Sequence, residues 1–465
     1  MKRQAVAIPL SFMALTVSFY PYQGDSHVGA LPLLGMTTNT KTALIDTFPP
    51  RGRLNGDTMN HIIHCKCVKC GKTYAPAADI TTCECGGILD VIYDYESIKT
   101  KFNKEVLARR DEPTMWRYRE LLPIEESTVP AGLRVGMSPL YEAQRIAADL
   151  GVKRLYIKDD GVNPTASLKD RASAMAVTKA IEAGYDTIAC SSTGNAASSL
   201  AGNAAKAGLK TYIFVPSRAP KGKIAQLMMF GANLTAVDGS YEETFELSRA
   251  AIDKYGWYNR NAAINPYLSE GKKTVAHEIC EQLKFNAPDF VAVSVGDGCT
   301  IAGVYKGLYD MYRVGLIDRI PRIISVQAQG CCPINTAVMN GEDWRPQEEN
   351  TYADSIAVGV PRNPDKAINA IKDSDGICVN VTDDEIRAAQ KYLAKNAGVF
   401  GEPAGVTATA GLIKLSREGK LPHDATIVSI VTGNGLKDID SAIQAVGEPI
   451  HCGNDLAEFE EKFGL

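Results

Sequence analysis

From residue 155 onward the chain alternates short, continuous apolar runs with helical patterns, and that alternation dictates its architecture. The runs are Leu155–Ile157, Thr187–Cys190, Thr211–Val215, Asn233–Val237, Phe290–Val295, Arg322–Val326, Gly376–Val381 and Thr426–Val431. Their apolar residues sit on consecutive positions, so both faces of each strand must be covered. Helical patterns separate them, with readable boundaries. Ser240-Tyr-Glu-Glu243 is a capping-box pattern, and Thr382-Asp-Asp-Glu385 opens a helix that Gly398 closes. The expected fold class is therefore α/β, with doubly wound, mostly parallel sheets. A chain of 465 residues exceeds one simple core and implies two or three domains.

Residues 1–58 read as a leader unlike the rest. Lys2-Arg3 followed by an apolar run to Phe19 imitates a signal peptide, but no small-residue cleavage site follows. Asp25, Asp46 and Asp57 run against a transit peptide. A third reading places the true translation start at Met59. Pro9 breaks the apolar run, which is short for a membrane span. A cysteine-rich module covers 59–95, and the main body covers 96–465, entered through a polar, charged helical stretch. A net charge of −4 argues against nucleic acid as the main partner. Of 12 cysteines, five fall between Cys65 and Cys85 and the others show no disulfide-like spacing. That usage fits a reducing compartment, the cytoplasm.

In parallel α/β folds ligands bind where strands hand over to helices. Four such turns stand out. In Asn163-Pro-Thr-Ala-Ser-Leu-Lys-Asp-Arg171 a lysine falls at a helix start, where free N–H groups and the helix dipole disfavour a cation. An ordinary solvated lysine beside Asp170 is the plain alternative. Ser191-Ser-Thr-Gly-Asn-Ala-Ala197 combines hydroxyls, Gly and Asn at a helix start, more than an N-cap needs. Gly296-Asp-Gly-Cys-Thr-Ile-Ala-Gly303 can bring backbone close to a phosphate. It lacks the Walker Gly-Lys-Ser/Thr, Ile301 breaks the dinucleotide pattern, and the next strand ends without an acidic residue. A monophosphate site remains. Val431-Thr-Gly-Asn-Gly-Leu-Lys-Asp438 offers the hydroxyl of Thr432 at a strand end. An amine, an anion loop, a Ser/Thr/Asn loop and a strand-end hydroxyl together suit pyridoxal phosphate.

The lysine stretch resembles the P-T-G-S-F-K-D-R signature of fold-type-II pyridoxal-phosphate enzymes, and of the threonine synthase family in particular. The Ser191–Ala197 loop and the late T-G-N-G-L-K-D are similar to that family too, whose last motif is usually T-G-H-G-L-K-D. The resemblance covers the chain from about Asn60 to its last helix. It implies two doubly wound subdomains, the smaller at about 165–285, and a homodimer. It implies that Lys169 forms the Schiff base and shuttles protons, and that Asn195 meets the 3′-oxygen of the pyridine. Gly296, Asp297, Gly298, Cys299 and Thr300 would form the phosphate cup, and Thr432 would meet the ring nitrogen. Ser192, Thr193 and Gly194 would bind the substrate carboxylate. The implied reaction is O-phospho-L-homoserine plus water to L-threonine plus phosphate. A cysteate synthase acting on O-phosphoserine, a threonine dehydratase and a non-catalytic paralogue are the alternatives.

The chain departs from that family at its substrate-phosphate pattern, N-S-x-N-P-x-R-x-E-G-x-K-T. Ala262 and Leu268 stand where the pattern has its first Asn and its Arg. Arg260, Lys272 and Lys273 are the candidate substitutes for that pair, though a lysine is only a point charge and none of the three is in register. Asp297 puts a carboxylate in the expected phosphate cup, which is unfavourable unless it points away.

Cys67-x2-Cys70 and, twelve residues later, Cys83-x-Cys85 resemble a zinc ribbon with an imperfect second knuckle. The four thiolates are the expected metal ligands, with His64 and Cys65 as spare candidates. Such a module is expected to be structural. A nucleic-acid-binding ribbon would need a basic surround, and Asp79, Glu84, Asp90, Asp94 and Glu96 oppose that.

Overall fold

The computed structural model describes residues 61–465, except 78–79, 193, 218–220 and 263. The expectations for residues 1–58, for Asp79 and for Thr193 lie outside the described residues. The strands are β1 (Ile62–Cys67), β2 (Thr73–Tyr74), β3 (Leu89–Tyr93), β4 (Leu140–Glu142), β5 (Arg154–Asp159), β6 (Thr187–Ser191) and β7 (Lys210–Pro216). They continue with β8 (Asn233–Val237), β9 (Tyr258–Asn259), β10 (Phe290–Ser294), β11 (Arg322–Ala328), β12 (Ile377–Val381) and β13 (Thr426–Val431). All eight apolar runs named from the sequence are strands. The helices that matter for the site are α1 (Lys169–Glu182), α2 (Asn195–Ala207), α3 (Tyr267–Lys272), α4 (Cys299–Arg313) and α5 (Pro403–Arg417).

Two sheets make the α/β body. One has the order β12-β11-β10-β13-β5-β4, the other β8-β7-β6-β9. Every pairing within them is parallel except β4 against β5. Strands β6 and β10 are buried at every residue, as continuous apolar strands between helical layers must be. Strands β4 and β9, three and two residues long, had no apolar run to announce them. Both expected capping boxes are formed, Ser240 with Glu243 and Thr382 with Glu385, and Gly398 ends the second helix in the left-handed conformation.

The cysteine module is a three-stranded antiparallel sheet, β2-β1-β3, whose buried residues join the core around α4. Its last residues enter a buried ion network. The Tyr93 hydroxyl donates to Glu270 at 2.5 Å and the Tyr95 hydroxyl to Asp310 at 2.6 Å. Lys273 lies 2.5 Å from Glu270 and 2.7 Å from Asp310. Removing one partner from such a network leaves a buried charge uncompensated, so module and body are held in one register. No helix among the described residues is long and apolar enough to cross a membrane.

Candidate active site

Lys169 is the first residue of α1, and a short ladder sets its position. The Leu168 N–H donates to the Thr432 carbonyl at 2.8 Å, and the Asn434 N–H to the Ala166 carbonyl at 3.0 Å. The end of β13 thus carries Thr432 to the lysine turn. Asp170 does not pair with Lys169, as the plain reading had it. Its carboxylate turns back to accept from the Thr165 N–H and hydroxyl, both at 2.7 Å, and from Asn203 at 3.1 Å. One residue on, the fully buried Arg171 bonds Asp160 and Glu278, and Lys158 of β5 bonds Glu278 at 2.7 Å. This network clamps α1 against the strand before it.

The Lys169 amine is pushed down to about 8, first by burial, then by the cations Lys272 and Arg260, with Glu402 opposing. Burial, more than the helix start alone, is what weakens its charge.

The loop Gly296–Thr300 closes β10 into α4. Gly298 has φ 85, and a Cβ there would lie 2.4 Å from the Asn363 carbonyl. No side chain caps α4, so its first N–H groups are free to meet an anion. One oxygen of the Asp297 carboxylate accepts from the Arg362 N–H at 2.7 Å, and the other faces the Cys299 thiol at 3.6 Å. The Arg362 N–H therefore offsets the acid in this loop only in part.

The Ser192 hydroxyl accepts from the Gly194 N–H at 3.3 Å, and among the described residues no side chain caps α2 either. Asn195, its first residue, donates to Glu402 at 2.7 Å. Lys437 donates to Ser198 and to Gln226, each at 2.9 Å. Gly194, Asn195, Ser198, Glu402 and Lys437 line one cleft between the two sheets. Sequence reasoning missed Glu402 and Lys437. The first had a signal, because Pro403 at a helix start puts Glu402 at the N-cap.

At the departing segment, Leu268 is buried in the apolar core beneath the four-stranded sheet. Lys273 is consumed by its ion pairs and lies 4.0 Å over the Tyr93 ring. Arg260 and Lys272 remain, both buried.

In the module, the sulfurs of Cys67, Cys70, Cys83 and Cys85 all lie within 4.8 Å of one another. Cys65 is buried outside that group.

A pyridoxal phosphate fits these residues: a weakened amine, an uncapped helix start that only Gly298 admits, and a hydroxyl beside the lysine turn. The family model described as "Pyridoxal-phosphate dependent enzyme" matches residues 132–433. Threonine synthase of Methanocaldococcus jannaschii is 42% identical over 394 residues, 84% of this chain and 97% of that protein. That of Methanosarcina acetivorans is 41% identical over 83% of this chain and 95% of its own length. The chain belongs to the threonine synthase family. Solved structures share its fold at lower identity. Tomato threonine deaminase isoform 2 has a TM-score of 0.57 at 22% identity, over 67% of this chain and 83% of that one. Diaminopropionate ammonia lyase of Escherichia coli has a TM-score of 0.58 at 19% identity, over 67% and 87%. The family model and the threonine synthase relatives make the cofactor of this chain pyridoxal phosphate, and the solved structures show the fold to be that of the fold-type-II enzymes.

Proposed function

We infer that this chain is a threonine synthase, converting O-phospho-L-homoserine and water to L-threonine and phosphate. The observation that carries the reading is the Lys169 amine, pushed down to about 8 at the meeting point of Thr432 and the α4 loop. When bound, pyridoxal phosphate supplies the electron sink that makes protons at Cα and Cβ removable and phosphate at Cγ expellable. The protein supplies proton transfer and orientation. Lys169 takes protons from Cα and Cβ and returns them to Cγ and Cα, which requires a neutral amine near working pH. Water adds at Cβ after phosphate has left with the Cγ–O bonding pair.

Gly296, Asp297, Gly298, Cys299 and Thr300 would hold the cofactor phosphate through the free N–H groups of α4. Thr432 would meet the ring nitrogen. An uncharged hydroxyl there tempers the sink and favours elimination over transamination. Asn195, held by Glu402, would meet the ring oxygen, and Ser192, Thr193 and Gly194 the substrate carboxylate.

Zinc on Cys67, Cys70, Cys83 and Cys85 belongs to the same reading. Sulfurs about 2.3 Å from a tetrahedral zinc stand about 3.8 Å apart. The Cys70–Cys83 and Cys67–Cys85 separations of 3.5 and 3.6 Å fit that edge. The enzyme works in the cytoplasm as a homodimer. Twelve free thiols support a reducing compartment.

The test is phosphate release from O-phosphohomoserine set against O-phosphoserine, together with the absorbance band of lysine-bound cofactor. Release from the first substrate only, and loss of the band in Lys169→Ala, are expected. Release from O-phosphoserine alone overturns the substrate, and a wild type without the band overturns the whole reading.

A further inference from the structure

Two buried cations beside Lys169 make no ion pair among the described residues, though the more distant charges of Asp297 and Asp170 act on Lys272 and Arg260 respectively. Arg260 is 2% exposed, and among the described residues its guanidinium meets only the Ser173 hydroxyl, at 3.1 and 3.2 Å. Ser173 lies one turn beyond Lys169 on α1, so the guanidinium sits beneath the catalytic lysine. Lys272 is 4% exposed at the end of α3 and packs against α4, where a Cβ on Gly303 would come 3.0 Å from its own Cβ. Among the described residues no carboxylate comes within ion-pair distance of either. Burying a charge without a partner is costly, so a counter-anion is implied.

Orphaned polar atoms lie alongside. Asn261 is 2% exposed, and its Oδ1 accepts from the Ser191 N–H at 2.8 Å while its Nδ2 has no partner among the described residues. The Ser191 hydroxyl is buried and unpartnered too. Both stand at the carboxyl end of β6, where the Ser192–Gly194 loop begins.

We propose that Arg260, Asn261 and Lys272 form the pocket for the substrate's phosphate monoester, replacing the Asn and Arg lost at Ala262 and Leu268. The proposal rests on the threonine synthase reading above. Arg260 and Asn261 come from the four-stranded sheet, next to the loop assigned to the substrate carboxylate. The cofactor phosphate already has the free N–H groups of α4. Two phosphates need two sites, and the two buried cations supply the charge for the second. A guanidinium and an amide restore the chemistry of the missing pair from positions shifted along the chain.

Thermal melting of the cofactor-loaded protein with increasing inorganic phosphate tests this, with the cofactor's absorbance followed in the same samples. Phosphate should raise the wild-type midpoint, since it binds only the folded state. Arg260→Met and Lys272→Met should each weaken phosphate binding by about 10- to 100-fold, with the cofactor band unchanged. Neither change orphans a carboxylate, so without phosphate both variants should melt no lower than wild type. Asn261→Asp keeps the acceptor for Ser191 and places a negative charge in the pocket, and it should lose phosphate binding even if a methionine variant fails to fold. Wild-type phosphate affinity in the variants overturns the proposal. Loss of the cofactor instead of phosphate overturns it as well, reassigning the cations to the cofactor phosphate. A wild type that binds phosphate here yet releases none from O-phosphohomoserine refutes the substrate reading and leaves the pocket standing.

Discussion

The Leu168 N–H donates to the Thr432 carbonyl at 2.8 Å, tying the lysine helix to the end of the central strand β13. Two residues before Leu168, Ala166 completes the same ladder with φ 67, a conformation that glycine adopts freely and alanine does not. The family signature has glycine there. Ala166→Gly should therefore stabilise the protein, by roughly 0.5–1 kcal/mol once the added freedom of the unfolded chain is deducted. Ala166→Val should destabilise it by more. Denaturant midpoints of the three proteins check the order.

The buried amine of Lys169 gives a pH signature to the cofactor-free protein. Its folded value is about 8, against about 10.4 for a free lysine. Between those values the unfolded chain binds more protons, so wild-type stability rises with pH across that window. Below pH 8 the burial cost is present in full. Lys169→Met should exceed wild type by up to roughly 3 kcal/mol there, less where solvent screens the amine, and the gap should close toward pH 10.4. Denaturant titrations of both proteins at pH 7, 8, 9 and 10 measure it. A gap that widens with pH contradicts the argument.

Glu402 acts on two groups at once. It accepts from Asn195 at 2.7 Å, and its charge is the main influence raising the Lys169 amine. Glu402→Ala should lower kcat about tenfold or more by freeing Asn195. It should also move the acid limb of the kcat profile to lower pH, because the protonated amine loses its anion. A fall in kcat with an unmoved limb would restrict Glu402 to positioning.

These contributions were unequally legible in the sequence. The long strands were readable because residues such as Phe290 to Ser294 are apolar at every position. Strands β4 and β9 owe their existence to the neighbours they pair with, and three or two residues leave no pattern. The places of Lys169, Asn195 and Thr432 at strand ends and helix starts were readable because each sits in a contiguous motif. The partner of Asp297 was not, since the N–H that one of its oxygens accepts from belongs to Arg362, 65 positions on. Arg260 was visible as a candidate substitute for the lost pair, out of register with it. Its lack of a counter-charge is a property of the packed interior.

The cysteine module bears on the active site through Tyr93 and Tyr95. Their hydroxyls bond Glu270 and Asp310, the two anions that hold Lys273, the residue next to Lys272. Metal loss should therefore reach the catalytic body. One zinc per chain is expected by elemental analysis, and a strong chelator should lower both the melting temperature and turnover. Cys70→Ser should lose the metal and reproduce the chelated state. Tyr93→Phe keeps the metal ligands but leaves Glu270 short of a donor, costing about 1–3 kcal/mol with metal content unchanged. Unaltered melting after chelation would separate the module's fold from the metal.

Gly298 is the sharpest test of the cup. At φ 85, with the Asn363 carbonyl 2.4 Å from where a Cβ would stand, alanine meets both backbone strain and overlap with a peptide that cannot swing aside. The Asn363 N–H is also bonded to the Asp297 carbonyl at 3.0 Å, so the two loops would have to part together. Parting them turns the first N–H groups of α4 away from the position they share. Gly298→Ala should cost more than about 2 kcal/mol of stability. It should also weaken cofactor binding, read as loss of the lysine-bound absorbance on dialysis, while the Lys169 ladder to Thr432 stays intact. Retention of the cofactor with wild-type affinity would remove the α4 loop from the phosphate site.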